Sequence, residues 1–166
     1  MKKVVICNSV GLYVEALTRG KEYEVIAEDE EKEQIKILGD NNRARWFRKH
    51  YFVPYGSSVP VLVKWQFDDT IDDSSETSLE HIDITVFLSD GQKKWCSVCT
   101  KAGLVDYIER NMDGNVFLIE NQIIVKNFLC EVVNDALIYL DQQNELISST
   151  RLLTGIDSEI NKTQSS

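Results

Sequence analysis

The sequence predicts an α+β protein in two units: a small all-β segment over residues 1–56 and an α+β domain over 57–153, with a polar, disordered tail at 154–166. Short apolar runs of period two, cut by Gly and Asn turns, crowd the first 56 residues. Both prolines, Pro54 and Pro60, bracket a Gly- and Ser-containing stretch that reads as a linker. Beyond it, an Asp-Gly hairpin signature precedes two segments with helical apolar spacing.

Val4-Val5-Ile6-Cys7 opens as a short buried strand, and Asn8 to Gly11 is rich in turn formers. Gly20 marks a turn. After it Tyr23 and Val25 alternate with Glu22 and Glu24, the pattern of a half-buried strand. Glu28 to Glu33 is a solvated hairpin tip, Gln34 to Leu38 alternates again, and Gly39-Asp40-Asn41-Asn42 signals a turn. A strand from Ala44 through Trp46 and another at Tyr51-Phe52-Val53 complete five strands, enough for a small barrel.

In the second unit Val61–Phe67 and Ile82–Leu88 read as strands around a polar, acidic loop at 68–80. Ser89-Asp90-Gly91-Gln92 turns the chain into Lys94–Cys99, and the resulting sheet is expected to be antiparallel. Thr100 can cap a helix with Leu104, Val105 and Ile108 on one face. Asn127 can cap a second, with Leu129, Val133, Ala136, Leu137 and Leu140 inward. Val116–Ile119, Ile123–Val125 and a final edge at 147–153 are strand-like.

The composition, 43% hydrophobic and 27% charged, is ordinary for a globular protein. No apolar stretch approaches the roughly 18 residues that span a bilayer. The apolar run after Lys2-Lys3 is only about four residues, far short of a secretory signal. The expectation is therefore a cytoplasmic protein with no membrane contact. Its cysteines, Cys7, Cys96, Cys99 and Cys130, should then be reduced. Three of them, Cys7, Cys99 and Cys130, sit in apolar runs as small hydrophobes.

Net charge is −9, unevenly spread: 10 basic and 9 acidic residues lie in 1–56, against 8 and 18 in 57–166. The summed field opposes nucleic acid at long range.

Two resemblances follow from these residues. Leu17, Gly20-Lys21, Tyr23-Glu24-Val25-Ile26, the acidic tip, Ile35-Lys36-Ile37, Gly39-Asp40 and Trp46-Phe47 through Tyr51-Phe52 together resemble a small SH3-like β-barrel common in uncharacterised bacterial and phage proteins. Such barrels bind peptides or nucleic acids, or cap other domains, so the resemblance implies a fold and little chemistry. Residues 54–153 resemble bacterial proteins of unknown function associated with toxin-immunity and phage-defence neighbourhoods. The likeness rests on Asp90-Gly91, Trp95, a helix, Ile123-Ile124-Val125 and a second helix.

Trp95-Cys96-Ser97-Val98-Cys99 matches the W-C-x-x-C of thioredoxin-like oxidoreductases. On a hairpin arm, however, Cys96 and Cys99 point to opposite faces, and no proline follows Pro60. A zinc site would pair that motif with ligands from Cys7, Cys130, His50 or His81, none of them at ligand spacing. Asp68-Asp69-Thr70-Ile71-Asp72-Asp73 could hold a cation but lacks the Gly and Glu of an EF-hand loop. No G-x-S-x-G, phosphate loop or G-x-G-x-x-G is present. No cofactor, metal or catalytic residue is expected.

Arg43, Arg45, Trp46, Arg48 and Lys49, followed by His50 and Tyr51, form the dense basic-aromatic cluster of the chain. It can contact an acidic protein surface, or stack a base and neutralise phosphates. Equally, Trp46 and Phe52 can fill the core while the arginines are simply solvated. The expected function is a non-enzymatic interaction module, of immunity or phage-defence type, whose partner is another protein. A nucleic-acid-binding regulator using residues 43–51 is the alternative, and a cysteine-based enzyme comes last.

Overall fold

The computed structural model describes residues 2–68, 81–112 and 119–153. The chain divides into two units, one built from Met1–Val61 and Tyr139–Glu145, the other from Leu62–Ile138 and Leu146–Ser166. Among the described residues the class is α+β, with two helices and two sheets.

In the first unit, β1 (Val4–Cys7), β2 (Glu22–Asp29), β3 (Gln34–Leu38), β4 (Ala44–Arg48) and β5 (Phe52–Pro54) form a sheet of order β4-β3-β2-β1-β5. Every neighbouring pair is antiparallel. A 3₁₀ turn, Lys49–Tyr51, joins β4 to β5. No pairing between those two edges closes the sheet among the described residues. The β2–β3 turn is held by the Asp29 carboxylate, which accepts the Lys32 backbone N–H at 3.0 Å. The β3–β4 turn places Asn42 at φ +57°, a conformation Asn tolerates better than most residues. Ile35 and Ile37 alternate inward with Lys36 and Leu38 outward, as the period-two pattern requires. The core gathers Cys7, Leu17, Tyr23, Ile37, Phe47 and Phe52, among others.

Arg19 is the unusual member of this unit, with its side chain only 3% exposed. Nε donates to the Asn8 carbonyl at 2.8 Å and Nη1 to the Pro60 carbonyl at 2.6 Å. Nη1 also meets Asp141 Oδ1 at 2.8 Å, and Nη2 donates to Asn144 Oδ1 at 2.7 Å. Burial lowers the guanidinium pKa while the Asp141 carboxylate holds it up. The same distant segment bonds again nearby: Val10 N–H donates to the Gln142 carbonyl and Gln143 Nε2 to the Gly11 carbonyl.

The second unit contains β6 (Leu62–Phe67), β7 (His81–Leu88), β8 (Lys93–Thr100), α1 (Lys101–Asn111), β9 (Gln122–Val125), α2 (Cys130–Gln142) and β10 (Arg151–Leu152). The last turn of α2 groups with the first unit. The order is β10-β8-β7-β6, with β9 beside β8. Gly91 at φ +86° makes the β7–β8 hairpin turn, where an L side chain would be strained. Thr100 Oγ1 accepts the Gly103 N–H at 3.1 Å and starts α1. Asn127 Oδ1 accepts the Leu129 N–H just ahead of α2.

The sheet is mixed rather than antiparallel throughout. The α1 crossover returns the chain to the starting end of β8, so β9 runs parallel to it. Two helix faces also differ from expectation: Val105 and Leu129 are exposed, while Val133 and Leu137 are buried. The final strand shrinks to Arg151–Leu152, because the chain up to Ser149 turns and Thr150 Oγ1 bonds back to the Leu146 carbonyl. Of the strand expected at 116–119, residues 116–118 lie outside the described residues, as do the 69–80 loop and the tail from 154.

Candidate functional site

β3 and β4 divide the basic-aromatic cluster between faces. Phe47 opposes Ile35 and is 1% exposed, so alternation turns Trp46 outward, where it opposes Lys36 and is 42% exposed. The expectation that Trp46 could fill the core is corrected: its neighbour Phe47 does, together with Phe52. Arg48 shares the outer face of Trp46 by the same alternation. Arg45 lies on the Phe47 side, its guanidinium 5.9 Å from the Tyr13 ring centroid. Arg43 precedes the strand and is exposed. Lys49 is engaged by the hairpin tip, 2.6 Å from Glu30 and 3.5 Å from Glu28. Of the five residues, Trp46 and Arg48 therefore share one surface, and Lys36 joins them.

That outer face carries apolar groups as well. Alternation with the inward Tyr23 and Val25 turns Ile26 out, 55% exposed, and Leu38 is 51% exposed. Both line a groove of about 470 Å³ with Lys21, Tyr23, Glu24 and Asp40. Asp40 accepts hydrogen bonds from Lys21 at 2.6 Å, Thr18 at 2.7 Å and Tyr23 at 2.9 Å. Burial pushes the Asp40 carboxyl up, but these donors outweigh it and its pKa is lowered. The same alternation that sets Tyr23 and Val25 inward places Ile26 outward, a signal legible in the sequence.

The three buried cysteines, Cys7, Cys96 and Cys99, offer poor nucleophiles. Cys96 opposes Ile84 and Cys99 opposes His81, on opposite faces of β8, and both are buried. Burial drives Cys96 to about 12, with Asp83 and Asp68 adding to the shift. Burial drives Cys7 to about 12 also, against the opposing Arg19 cation. Cys130 was expected in an apolar setting and is instead exposed, on the outer side of α2. Titration of the native protein with a chromogenic disulfide should find Cys130 reacting first and the other three only on unfolding. A reversible 96–99 bridge under mild oxidant would contradict the strand geometry.

The raised thiol pKa values also set an alkaline limit. The unfolded chain ionises Cys7 and Cys96 from their ordinary 9.0, whereas the folded chain resists ionisation until about 12. The stability they contribute is complete below pH 9.0 and falls as pH rises toward 12. Urea midpoints across that range should decline, and the Cys7→Ala/Cys96→Ala variant should decline less steeply.

His50 and His81 are exposed. Among the described residues no group of three His, Cys, Asp or Glu side chains converges to hold a metal ion. The acidic run from Asp68 to Asp73 lies outside the described residues apart from Asp68, which accepts a hydrogen bond from Thr85 at 2.6 Å. Among those residues no helix is long and apolar enough to cross a membrane. No family model, curated protein or solved structure matches this chain.

Proposed function

We propose that the protein is a non-enzymatic interaction module, of immunity or defence type, that binds a partner protein through the outer face of its first sheet. One observation carries the reading: Trp46, Ile26 and Leu38 stand exposed on one sheet face, beside Lys36 and Arg48. Large apolar side chains grouped on a surface and rimmed by charge mark contact sites, and Trp is the residue most enriched at their centres. Residues 57–166, with 8 basic against 18 acidic residues, attract a partner of net positive charge at long range, while the patch of it that meets Lys36 and Arg48 is acidic. The first unit is read as an SH3-like barrel. Support comes from the strand order β4-β3-β2-β1-β5 and from the 3₁₀ turn placed before the last strand.

Capture from a lysate of the producing cell, with wild type, Trp46→Ala and Arg45→Ala as baits, tests this. One basic protein should be retained by wild type and Arg45→Ala. Trp46→Ala should weaken it at least about thirtyfold, the loss expected of a central Trp. Equal retention by Trp46→Ala would place the contact elsewhere.

A second reading has its own support, since Lys36 and Arg48 flank Trp46 in a geometry suited to stacking a base between phosphates. Binding of single-stranded and duplex oligonucleotides across a salt series separates the two. We expect nothing tighter than roughly 10⁻⁴–10⁻⁶ M at physiological salt. Submicromolar binding abolished by Lys36→Glu/Arg48→Glu would promote the nucleic-acid reading.

A further inference from the structure

The second sheet carries a polar row on one face. Asp83 of β7 opposes Ser97 of β8, and Ser97 opposes Gln122 of β9, so the three side chains stand abreast across three strands. His81 and Trp95, each two residues along its strand, project from the same face. Tyr107 of α1 sits against His81, ring centroids 5.7 Å apart. With Ile119 and Glu120 these residues bound a cavity of about 210 Å³. Inside the row, Ser97 Oγ and Gln122 Oε1 are shut off from solvent and have no hydrogen-bond partner among the described residues. Folded proteins seldom leave such groups unmet, and here two from adjacent strands in register share one cavity lining.

The lining dictates the complement. Gln122 Oε1 and the Asp83 and Glu120 carboxylates can only accept hydrogen bonds, and Ser97 Oγ can accept as well as donate. Neither Lys nor Arg is among the described residues that line the cavity. A ligand must therefore bring N–H donors and positive charge. Trp95 and Tyr107 add aromatic walls, which attract cations to their faces. The volume falls below the roughly 300–1,000 Å³ of sites that enclose whole small molecules, so it suits a functional group. A guanidinium fits on every count: planar, permanently charged, with five donors in a fixed fork and a face that stacks on aromatic rings.

We propose that the cavity bounded by Asp83, Trp95, Ser97, Tyr107 and Gln122 receives a guanidinium group, from an arginine side chain of a protein or from a free arginine-like molecule. This goes beyond the sheet face of the first unit and does not rest on it.

The test uses the full chain with Trp46→Phe/Trp65→Phe, which leaves Trp95 as the sole indole reporter. It is titrated with Nα-acetyl-arginine amide, an arginine-containing hexapeptide, the lysine counterparts of both, and Nα-acetyl-glutamate. Amide NMR of the wild-type chain, following the Trp95 indole and the Gln122 side-chain amide, serves as a second readout should the reporter background fold poorly. Saturable changes with the arginine probes are expected, at least tenfold tighter than with lysine and absent with glutamate. Asp83→Asn should weaken binding at least tenfold, and Ser97→Ala and Gln122→Leu severalfold each. A hexapeptide bound at least tenfold tighter than the amide identifies a protein-borne arginine; equal affinities identify a free ligand. Saturation by neither arginine probe, or unchanged affinity in Asp83→Asn, would overturn the proposal. Because Trp46 is already replaced in the reporter chain, a positive result stands whether or not the first sheet face binds a protein.

Discussion

Arg19→Ala is expected to lower stability by about 3–5 kcal/mol, because it leaves a largely buried carboxylate without its cation. The guanidinium joins Asn8, Pro60, Asp141 and Asn144, four positions spread over most of the chain. Removing it also strands two backbone carbonyls and an amide oxygen. Urea denaturation of wild type and variant measures the loss. Arg19 and Asp141 lie 2.8 Å apart, so their effects should not add. Arg19→Ala/Asp141→Asn should cost clearly less than the sum of its two single changes, since the uncompensated charge has gone. A loss below about 1 kcal/mol in Arg19→Ala would mean that water replaces the guanidinium without penalty.

Phe47→Ala and Trp46→Ala should differ sharply although the residues are adjacent. Phe47 is 1% exposed and meets Tyr13 and Phe52 edge to face, at centroid distances of 5.0 Å and 6.2 Å. Its truncation should cost about 3–5 kcal/mol. Trp46→Ala, on the outer face, should change stability by no more than about 0.5 kcal/mol while weakening the proposed partner contact. The same denaturation series measures both. A comparable loss in Trp46→Ala would show that the strand presents its other face to the core.

That pair shows where the sequence is legible and where it stops. Alternation at 34–38, the Asp90-Gly91 turn and the Thr100 cap are local signals, and each appears where its spacing places it. At 46–47 two aromatic residues sit side by side, so period alone cannot choose between them. The pairing of Phe47 with Ile35 decides it, and that is a cross-strand fact. The parallel placement of β9 likewise depends on the path of α1, not on Ile123-Ile124-Val125 themselves. Leu129 belongs to the helical apolar pattern yet precedes the first residue of α2, and so misses the buried stripe. Nothing local singles out Arg19 in the sequence, since its partners Asp141 and Asn144 are over a hundred positions away. The Asp83–Ser97–Gln122 row was hidden for the same reason: its members are neighbours only through register across three strands.

The return of Tyr139–Glu145 to the first unit bears on the order in which the protein is made. A ribosome delivers residues at roughly 5–20 per second, and domains generally close as their last element emerges. Met1–Val61 leaves the tunnel several seconds ahead of Asp141 and Asn144, so nascent Arg19 spends that interval without its carboxylate. The sheet of the first unit can pair in the meantime, but its ionic clasp forms only when most of the second unit has been synthesised. A stalled chain ending near residue 61 should therefore be more open to protease than the same residues in the finished protein.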